Sequence, residues 1–302
     1  MILELARVNK SFAGKQILHD VSFAVNSGKI MGLVGQNGAG KTTIMRILIG
    51  VFACDSGDVL LDGIPIRRGE HRFGYLPEER GMYPRTTVID QLVYFGELKG
   101  LTPLEARATV REWLRRLNLA NSERQNLGTM SRGNQQKIHI IQAVLGDPDI
   151  LVLDEPFSGL DPINTKTLKD VVHEFSEKDR IVVISSHEMG LVEEFCDAVT
   201  FIQDGRITVS AEIEAVKGRF RVENRLRLIL AHESRDETRA ILSQISDIDV
   251  SEDRQSIIVD LKNGKTPECL LDELLSRNLQ IELFGSYQPN LEEVFISLAD
   301  NP

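Results

Sequence analysis

The run of residues 35–42 constrains the fold more strongly than any other part of the chain. Its sequence, Gly-Gln-Asn-Gly-Ala-Gly-Lys-Thr, fits the pattern G-x-x-x-x-G-K-[ST] of phosphate-binding loops. The apolar run of residues 30–34 precedes it, and a stretch with helical spacing, residues 44–49, follows it. The pattern requires this order of strand, loop and helix, so we predict that the chain folds around a phosphate-binding turn.

The residue types of this loop suit a phosphate-bearing ligand and a divalent cation. Its glycines let the backbone N–H groups point inward at phosphate, and the N-terminus of the following helix adds its positive end. Lys41 adds a point charge for the β- and γ-phosphates, and the hydroxyl of Thr42 is placed for Mg²⁺. The predicted binding residues are Gly35, Asn37, Gly38, Ala39, Gly40, Lys41, Thr42 and Thr43.

A second chemical signal lies far downstream, where the apolar run of residues 150–153 ends in Asp154 and Glu155. A carboxylate buried at a strand end is costly unless a cation or a hydrogen bond compensates its charge. We predict that Asp154 holds Mg²⁺, directly or through water, and that Glu155 orients or deprotonates the attacking water. An acidic strand end in solvent is the alternative, and the loop at 35–42 makes it the poorer interpretation.

The remaining pattern up to residue 217 predicts an α/β fold. Apolar runs at 30–34, 150–153 and 181–184 each lie before a loop and a helical stretch, which is typical of a parallel sheet covered by helices. The alternating residues 2–8 and 17–25 predict an antiparallel sheet beside this core. Residues 87–146 have helical spacing and predict a helical insertion between two core strands.

A different pattern begins after Gly218. Leu226, Leu228 and Leu230 alternate, and the predicted elements from there follow the order β-α-β-β-α-β, with a last helix at residues 290–298. This order is compatible with a small ferredoxin-like α+β domain. We therefore predict two domains, residues 1–217 and 218–302.

Residues 1–217 resemble the nucleotide-binding subunits of ATP-binding-cassette (ABC) transporters, which have a P-loop NTPase core. Besides the two sites above, residues 130–137, Met-Ser-Arg-Gly-Asn-Gln-Gln-Lys, match the family's Leu-Ser-Gly-Gly-Gln motif, with departures at Arg132 and Asn134. The resemblance implies an ATPase that uses ATP and Mg²⁺. It also implies that Ser131 and Gly133, at a helix N-terminus, contact the γ-phosphate bound by a second copy of the chain.

More residues acquire a role through this resemblance. Phe12 matches the aromatic residue that stacks on adenine, and residues 158–161 match the loop by which two subunits contact one another. His187 matches the histidine that touches the γ-phosphate, and we group it with Lys41 and Glu155 as catalytic. In the loop of residues 75–80, Glu78 replaces the family's glutamine; a carboxylate can bind Mg²⁺ more strongly but has no donor for phosphate or water.

Residues 288–295 resemble the appended domain of a bacterial exporter subgroup that includes the sodium-exporter type, which implies export rather than import. The family also implies a homodimer and integral membrane permease subunits as partners. No stretch approaches about 18 consecutive apolar residues, so we expect a cytoplasmic protein, peripheral on the inner face of the cell membrane. The net charge of the protein, −10, argues against nucleic acid as a main partner.

Two other classes of function stay open at this point. The same ATP chemistry occurs in soluble ABC-type ATPases of translation or DNA repair, which two cassettes in one chain, a basic arm or a zinc motif would favour. A regulatory module could bind ATP without hydrolysing it, although the presence of Glu155 argues against this interpretation.

Overall fold

A computed structural model describes residues 1–66, 71–78, 81–231, 235–252 and 256–300. The chain forms two compact units, Met1–Ile213 and Glu214–Pro302. The predicted boundary between residues 217 and 218 falls inside a helix, Ile213–Arg219, and the division at that position stays a prediction. Among the described residues, no helix is both long and apolar enough to cross a membrane.

The larger unit alternates strands and helices along the chain. Its strands are β1 (Ile2–Phe12), β2 (Lys15–Asn26), β3 (Ile30–Val34), β4 (Ser56–Leu61), β5 (Ile64–Pro65), β6 (Phe73–Leu76), β7 (Ile150–Asp154), β8 (Ile181–Ser186), β9 (Ala198–Gln203) and β10 (Arg206–Glu212). Its helices are α1 (Lys41–Leu48), α2 (Val88–Leu98), α3 (Pro103–Arg116), α4 (Arg132–Val144), α5 (Pro162–Glu177) and α6 (Met189–Phe195), and α7 (Ile213–Arg219) follows.

A six-stranded sheet with the order β10-β9-β3-β8-β7-β6 forms the centre of this unit. All neighbouring strands are parallel except the β10–β9 pair. Along β7 the side chains alternate between two hydrophobic clusters: Leu151 and Leu153 pack with residues of α2–α5, and Ile150 and Val152 pack with residues of α1 and β1. The sheet is therefore covered on both faces, as its continuous apolar strands predict.

The predicted antiparallel sheet is present, with the order β2-β1-β4-β5. Its first two strands are longer than the alternating residues 2–8 and 17–25 indicate. The pairing of β1 with β2 shifts register between Leu5 and Val8, where Arg7 has a φ of 49°. Such a bulge interrupts the alternation of side chains, so the pattern alone ends the strand too early.

The helical segment between β6 and β7 consists of α2, α3 and α4 with clear N-terminal caps. The hydroxyl of Thr102 accepts a hydrogen bond from the backbone N–H of Glu105, whose carboxylate accepts one from the N–H of Thr102 in return. Thr87 and Ser131 cap α2 and α4 in the same way with their hydroxyls. These caps satisfy the free N–H groups of the first turns and fix where each helix begins.

The smaller unit has one four-stranded sheet in the described residues. Its elements are β11 (Arg225–Leu230), α8 (Arg235–Leu242), β12 (Ile248–Glu252), β13 (Ile257–Leu261), α9 (Pro267–Ser276), β14 (Ile281–Ser286) and α10 (Leu291–Asp300). The sheet order is β12-β13-β11-β14, with every pair antiparallel. The first strand is thus central and the last lies beside it, which confirms the predicted ferredoxin-like topology.

Gly205 joins the two sheets of the larger unit. It lies in the turn between β9 and β10, donates its N–H to the carbonyl oxygen of Ala39 (3.1 Å) and accepts a hydrogen bond from the N–H of His19 (2.8 Å). Its φ is +74°, and a Cβ atom there would lie 2.0 Å from the carbonyl oxygen of Ile17. Only glycine allows this close approach of the turn to β2.

We therefore expect Gly205→Ala to lower the free energy of unfolding by about 3 kcal/mol, because a left-handed backbone and a steric clash act together. Gly63→Ala is the matched control, since Gly63 has a φ of +78° but nothing within 4 Å of a Cβ atom. That change should cost only about 1 kcal/mol. Urea unfolding of both variants measures the two losses, and equal losses would show that the contact with β2 is unimportant.

Candidate active site

A pocket of about 260 Å³ brings together residues from distant parts of the larger unit. It is lined by Ile17, Asn37, Gly38, Gly40, Lys41, Thr42, Thr43, Glu78, Asp154 and Glu155. Most of these residues lie just after the carboxyl ends of β3, β6 and β7, which is where ligands bind in α/β sheets of this kind. A larger cavity, of about 370 Å³ near the C-terminal end of α1, contains none of these residues.

The glycines of the 35–42 loop are required by its surroundings. Gly40, at the N-cap of α1, has a φ of +112°, and a Cβ atom there would lie 2.7 Å from Leu18 Cδ2. A Cβ atom at Gly35 would lie 2.3 Å from the carbonyl oxygen of Ile202 on β9. The loop is thus pressed against two strands. Gly35 and Ala39 belong to the loop but do not line the pocket.

Lys41 begins α1 and is almost fully buried. Its ammonium group donates hydrogen bonds to the carbonyl oxygens of Gly35 (2.7 Å) and Gln36 (3.3 Å). The first turn of α1 carries no acidic residue, so the positive end of the helix and the ammonium group act in the same direction. This part of the pocket suits an anion, as the sequence predicts.

Asp154 lies at the end of β7 with 1% of its surface exposed. Its Oδ1 accepts a hydrogen bond from the hydroxyl of Ser185, and its Oδ2 is a buried oxygen for which the described residues offer no hydrogen-bond donor. A buried carboxylate oxygen without a donor fits a cation, and Thr42 lines the same pocket.

The residues around Asp154 suit a cation that takes some of its ligands from the protein and the others from a bound phosphate group. Within the described ranges, no group of three or more His, Cys, Asp or Glu residues could hold a metal ion by itself. Mg²⁺ is commonly bound by one or two carboxylates together with the phosphates of its substrate and water. Asp154, Thr42 and a nucleotide therefore fit Mg²⁺ better than a metal that needs a complete protein cage.

Glu155 is the residue after Asp154. Its side chain is largely buried, and its Oε1 lies 2.9 Å from Nδ1 of His187. Burial raises the pKa of Glu155 above its usual value, while the hydrogen bond with His187 and the charge of Lys41 act in the opposite direction. A carboxylate with a raised pKa beside a histidine is well suited to accept a proton. His187 itself is half exposed at the end of β8.

Glu78 is exposed and lines the same pocket as Asp154 and Thr42. It lies two residues after β6, and residues 79–80 of the predicted 75–80 loop lie outside the described residues. The pocket is therefore lined by three carboxylates, one Lys and two Thr residues. The metal role of Glu78 stays a prediction.

Ser131 and Gly133 do not line this pocket. Ser131 is an exposed N-cap of α4, and its hydroxyl accepts a hydrogen bond from the N–H of Asn134 (3.4 Å). A Cβ atom at Gly133 would lie 2.3 Å from Nδ2 of Asn164, whose side chain donates to Asp161. Packing against the first turn of α5 therefore requires glycine at this position, in addition to any role toward phosphate.

Phe12 is also outside the lining of the pocket. It ends β1 with 39% of its surface exposed, and its ring meets the ring of Phe52 edge-on, with centroids 5.1 Å apart. The ammonium group of Lys10 lies 5.3 Å from the centroid of Phe12. The lining residue that sequence reasoning missed is Ile17 on β2, because an apolar residue on a strand gives no chemical signal.

Comparisons with known proteins agree with the class that this site defines, an ATPase with a P-loop core. Residues 18–158 match the family model described as ABC transporter. Residues 212–299 match the model described as ATP-binding protein DrrA1-3-like, C-terminal domain. The second match confirms the predicted resemblance of the C-terminal region to an appended domain.

One relative matches almost the whole chain, and another matches about 70% of it. The uncharacterized ABC transporter ATP-binding protein YhaQ of Bacillus subtilis is 34% identical over 296 residues, which cover 98% of this chain and 97% of YhaQ. The lipopolysaccharide export system ATP-binding protein LptB of Haemophilus influenzae is 32% identical and covers 71% of this chain and 92% of LptB.

A solved structure of the ATP-binding subunit of an ABC transporter aligns with a TM-score of 0.67 and 27% identity, covering 80% of this chain and all of that one. The chain belongs to the ATP-binding proteins of the ABC transporter family, and it binds and hydrolyses ATP.

For Glu78, we expect the substitution Glu78→Gln to raise the Mg²⁺ concentration needed for half-maximal hydrolysis. Loss of one charge near a partly exposed cation should weaken its binding by on the order of 1 kcal/mol, or about fivefold. Titration of Mg²⁺ against phosphate release measures the shift. Glu112→Gln, on the exposed surface of α3, removes an equal charge outside the pocket and should leave the curve unchanged. Superimposable curves for Glu78→Gln and the unaltered protein would remove Glu78 from the metal site.

Proposed function

We propose that this chain binds Mg²⁺ and ATP, dimerises head to tail, and powers export through separate integral membrane permease subunits. It works as a peripheral protein on the cytoplasmic face of the cell membrane. The observation that carries the proposal is the pocket in which Lys41 and Thr42 lie together with Asp154 and Glu155.

ATP binding in this proposal uses the following contacts. Phe12 stacks on adenine, as its exposed ring can do, and the N–H groups of residues 35–43 surround the phosphates. Lys41 opposes the charge of the β- and γ-phosphates. Thr42, Asp154 and Glu78 hold Mg²⁺, which when bound neutralises charge that develops on the phosphates.

Hydrolysis then depends on Glu155. Its carboxylate orients a water molecule in line with the γ-phosphate and accepts a proton from it, as its raised pKa favours. The new P–O bond forms as the bond between the γ-phosphorus and the bridging oxygen breaks, which yields ADP and phosphate. His187 contacts Glu155 at 2.9 Å, and in this proposal it also touches the γ-phosphate.

The second copy of the chain completes each site. Ser131 and Gly133 lie at the N-terminus of α4, whose first turn has no acidic residue, and Ser131 is exposed. They do not line the pocket of their own chain, and in this proposal their N–H groups contact the γ-phosphate bound by the second copy. Residues 158–161 provide a further contact between the two copies.

Membrane partners and export have support from the relatives. Both family models are named for ATP-binding components or transporters, and LptB is named for an export system. We therefore expect permease subunits to be encoded separately from this chain. We do not expect nucleic acid to be a main partner, since the net charge is −10.

Glu155→Gln tests both the chemistry and the dimer. An amide cannot accept the proton of water, so we expect hydrolysis to fall by about 100-fold or more while ATP binding persists. ATP and Mg²⁺ should then trap a stable dimer, which light scattering after gel filtration detects. The double variant Glu155→Gln/Lys41→Ala is the control and should remain monomeric. If Glu155→Gln also stays monomeric with ATP and Mg²⁺, the composite site is wrong.

A further inference from the structure

A buried hydroxyl group forms hydrogen bonds with both acidic residues at the end of β7. Ser185 is on β8, where the apolar residues 181–184 give way to two serines, and it is 0% exposed. Its register partner on the parallel strand β7 is Asp154. A hydroxyl in such surroundings is unfavourable unless it forms hydrogen bonds, so its partners indicate why it is there.

The hydroxyl group of Ser185 forms two hydrogen bonds, one with each acidic residue. It donates to Oδ1 of Asp154 and accepts from the backbone N–H of Glu155, at 3.0 Å. Because Oδ1 is engaged, the carboxylate of Asp154 is fixed in rotation and Oδ2 is the oxygen left for a cation.

The bond to the N–H of Glu155 acts on a residue in an unusual conformation. Glu155 has a φ of 50°, in the left-handed region that side chains other than glycine rarely adopt. The surrounding structure must hold such a residue in place. The hydrogen bond that the N–H group of Glu155 donates to Ser185 helps to do so. The backbone at this position sets the direction of the side chain that meets His187.

We propose that Ser185 is a positioning residue for ATP hydrolysis. One hydroxyl group keeps Oδ2 of Asp154 available to Mg²⁺ and holds Glu155 in the backbone conformation from which it reaches the attacking water. This inference rests on the functions proposed above for Asp154 and Glu155.

A merely structural hydroxyl group would behave differently, and Thr200 on β9 provides the comparison. Thr200 is likewise 0% exposed, and its hydroxyl bonds to Ser210 Oγ (2.8 Å) and Met31 Sδ (3.3 Å), away from both carboxylates. Thr200→Val removes these bonds with little change in shape. It should lower stability without changing the dependence of ATP binding on Mg²⁺.

The decisive measurement is the affinity for ATP with Mg²⁺ and with EDTA, by calorimetry on the full chain. All variants carry Glu155→Gln, so that ATP is not consumed. We expect Ser185→Ala to reduce the gain in ATP affinity due to Mg²⁺ by about tenfold or more, as loss of a group that orients a metal ligand does. Affinity in EDTA should stay within about twofold of the parent, since the phosphate loop is untouched.

Each result has one meaning. A full Mg²⁺ gain in Ser185→Ala overturns the proposal, and so does an equal loss of affinity with and without Mg²⁺, which indicates general disruption. If Mg²⁺ does not increase the ATP affinity of the parent variant, which carries Glu155→Gln alone, then the proposed metal site is wrong, whatever the effect of Ser185→Ala. In a second set of variants that keep Glu155, a kcat restored in Ser185→Thr relative to Ser185→Ala, without a change in KM, would confirm the need for the hydroxyl group.

A second pair of variants covers the case in which Ser185→Ala does not fold. Ser185→Thr and Ser185→Val have the same shape and differ only in the hydroxyl group. The Mg²⁺ gain should survive in the first and be lost in the second. Equal gains in this pair would overturn the proposal.

Discussion

The register of three parallel strands sets the positions of the site residues that follow β3, β7 and β8. Val34 of β3 is the partner of Ser186 on β8, and Asp154 of β7 is the partner of Ser185. The strands therefore end at the same level, and the loops that begin there meet at one edge of the sheet. A slip of one residue would turn Asp154 toward the opposite face, because side chains alternate along a strand.

The hydrophobic clusters on the two faces of the sheet do not by themselves prevent such a slip. In β7, Leu151 and Leu153 belong to one cluster, while Ile150 and Val152 belong to the other. Both faces are apolar, so burial alone would tolerate a slip within the strand. What fixes the register is the polar end of each strand, where Asp154 and Ser185 satisfy one another and would otherwise be buried without partners. The geometry of the site and the register of β7 with β8 thus both depend on the hydrogen bond between Ser185 and Asp154.

The sequence predicts those parts of the fold whose signal is local. The phosphate loop depends on spacing within residues 35–42, and the ferredoxin-like order follows from short alternating segments, so both could be predicted. The role of Ser185 could not be predicted, because its partner Asp154 is 31 residues away and a serine two residues before a histidine matches no motif. The same holds for Gly133, whose need for glycine comes from Asn164 on another helix. The early end predicted for β1 has a different cause, a bulge that breaks the alternation.

Two adjacent carboxylates can share one pocket only if the chain departs from regular strand geometry. Successive side chains of a strand point to opposite faces, so Asp154 and Glu155 in an extended backbone would point apart. The left-handed conformation of Glu155 breaks this alternation, and both residues line the pocket. Their surroundings nevertheless differ: Asp154 is fully buried and bonded to a neutral hydroxyl group, whereas Glu155 faces His187. The proposed cation ligand and the proposed proton acceptor are thereby neighbours in the sequence, so a single strand end would supply both parts of the chemistry.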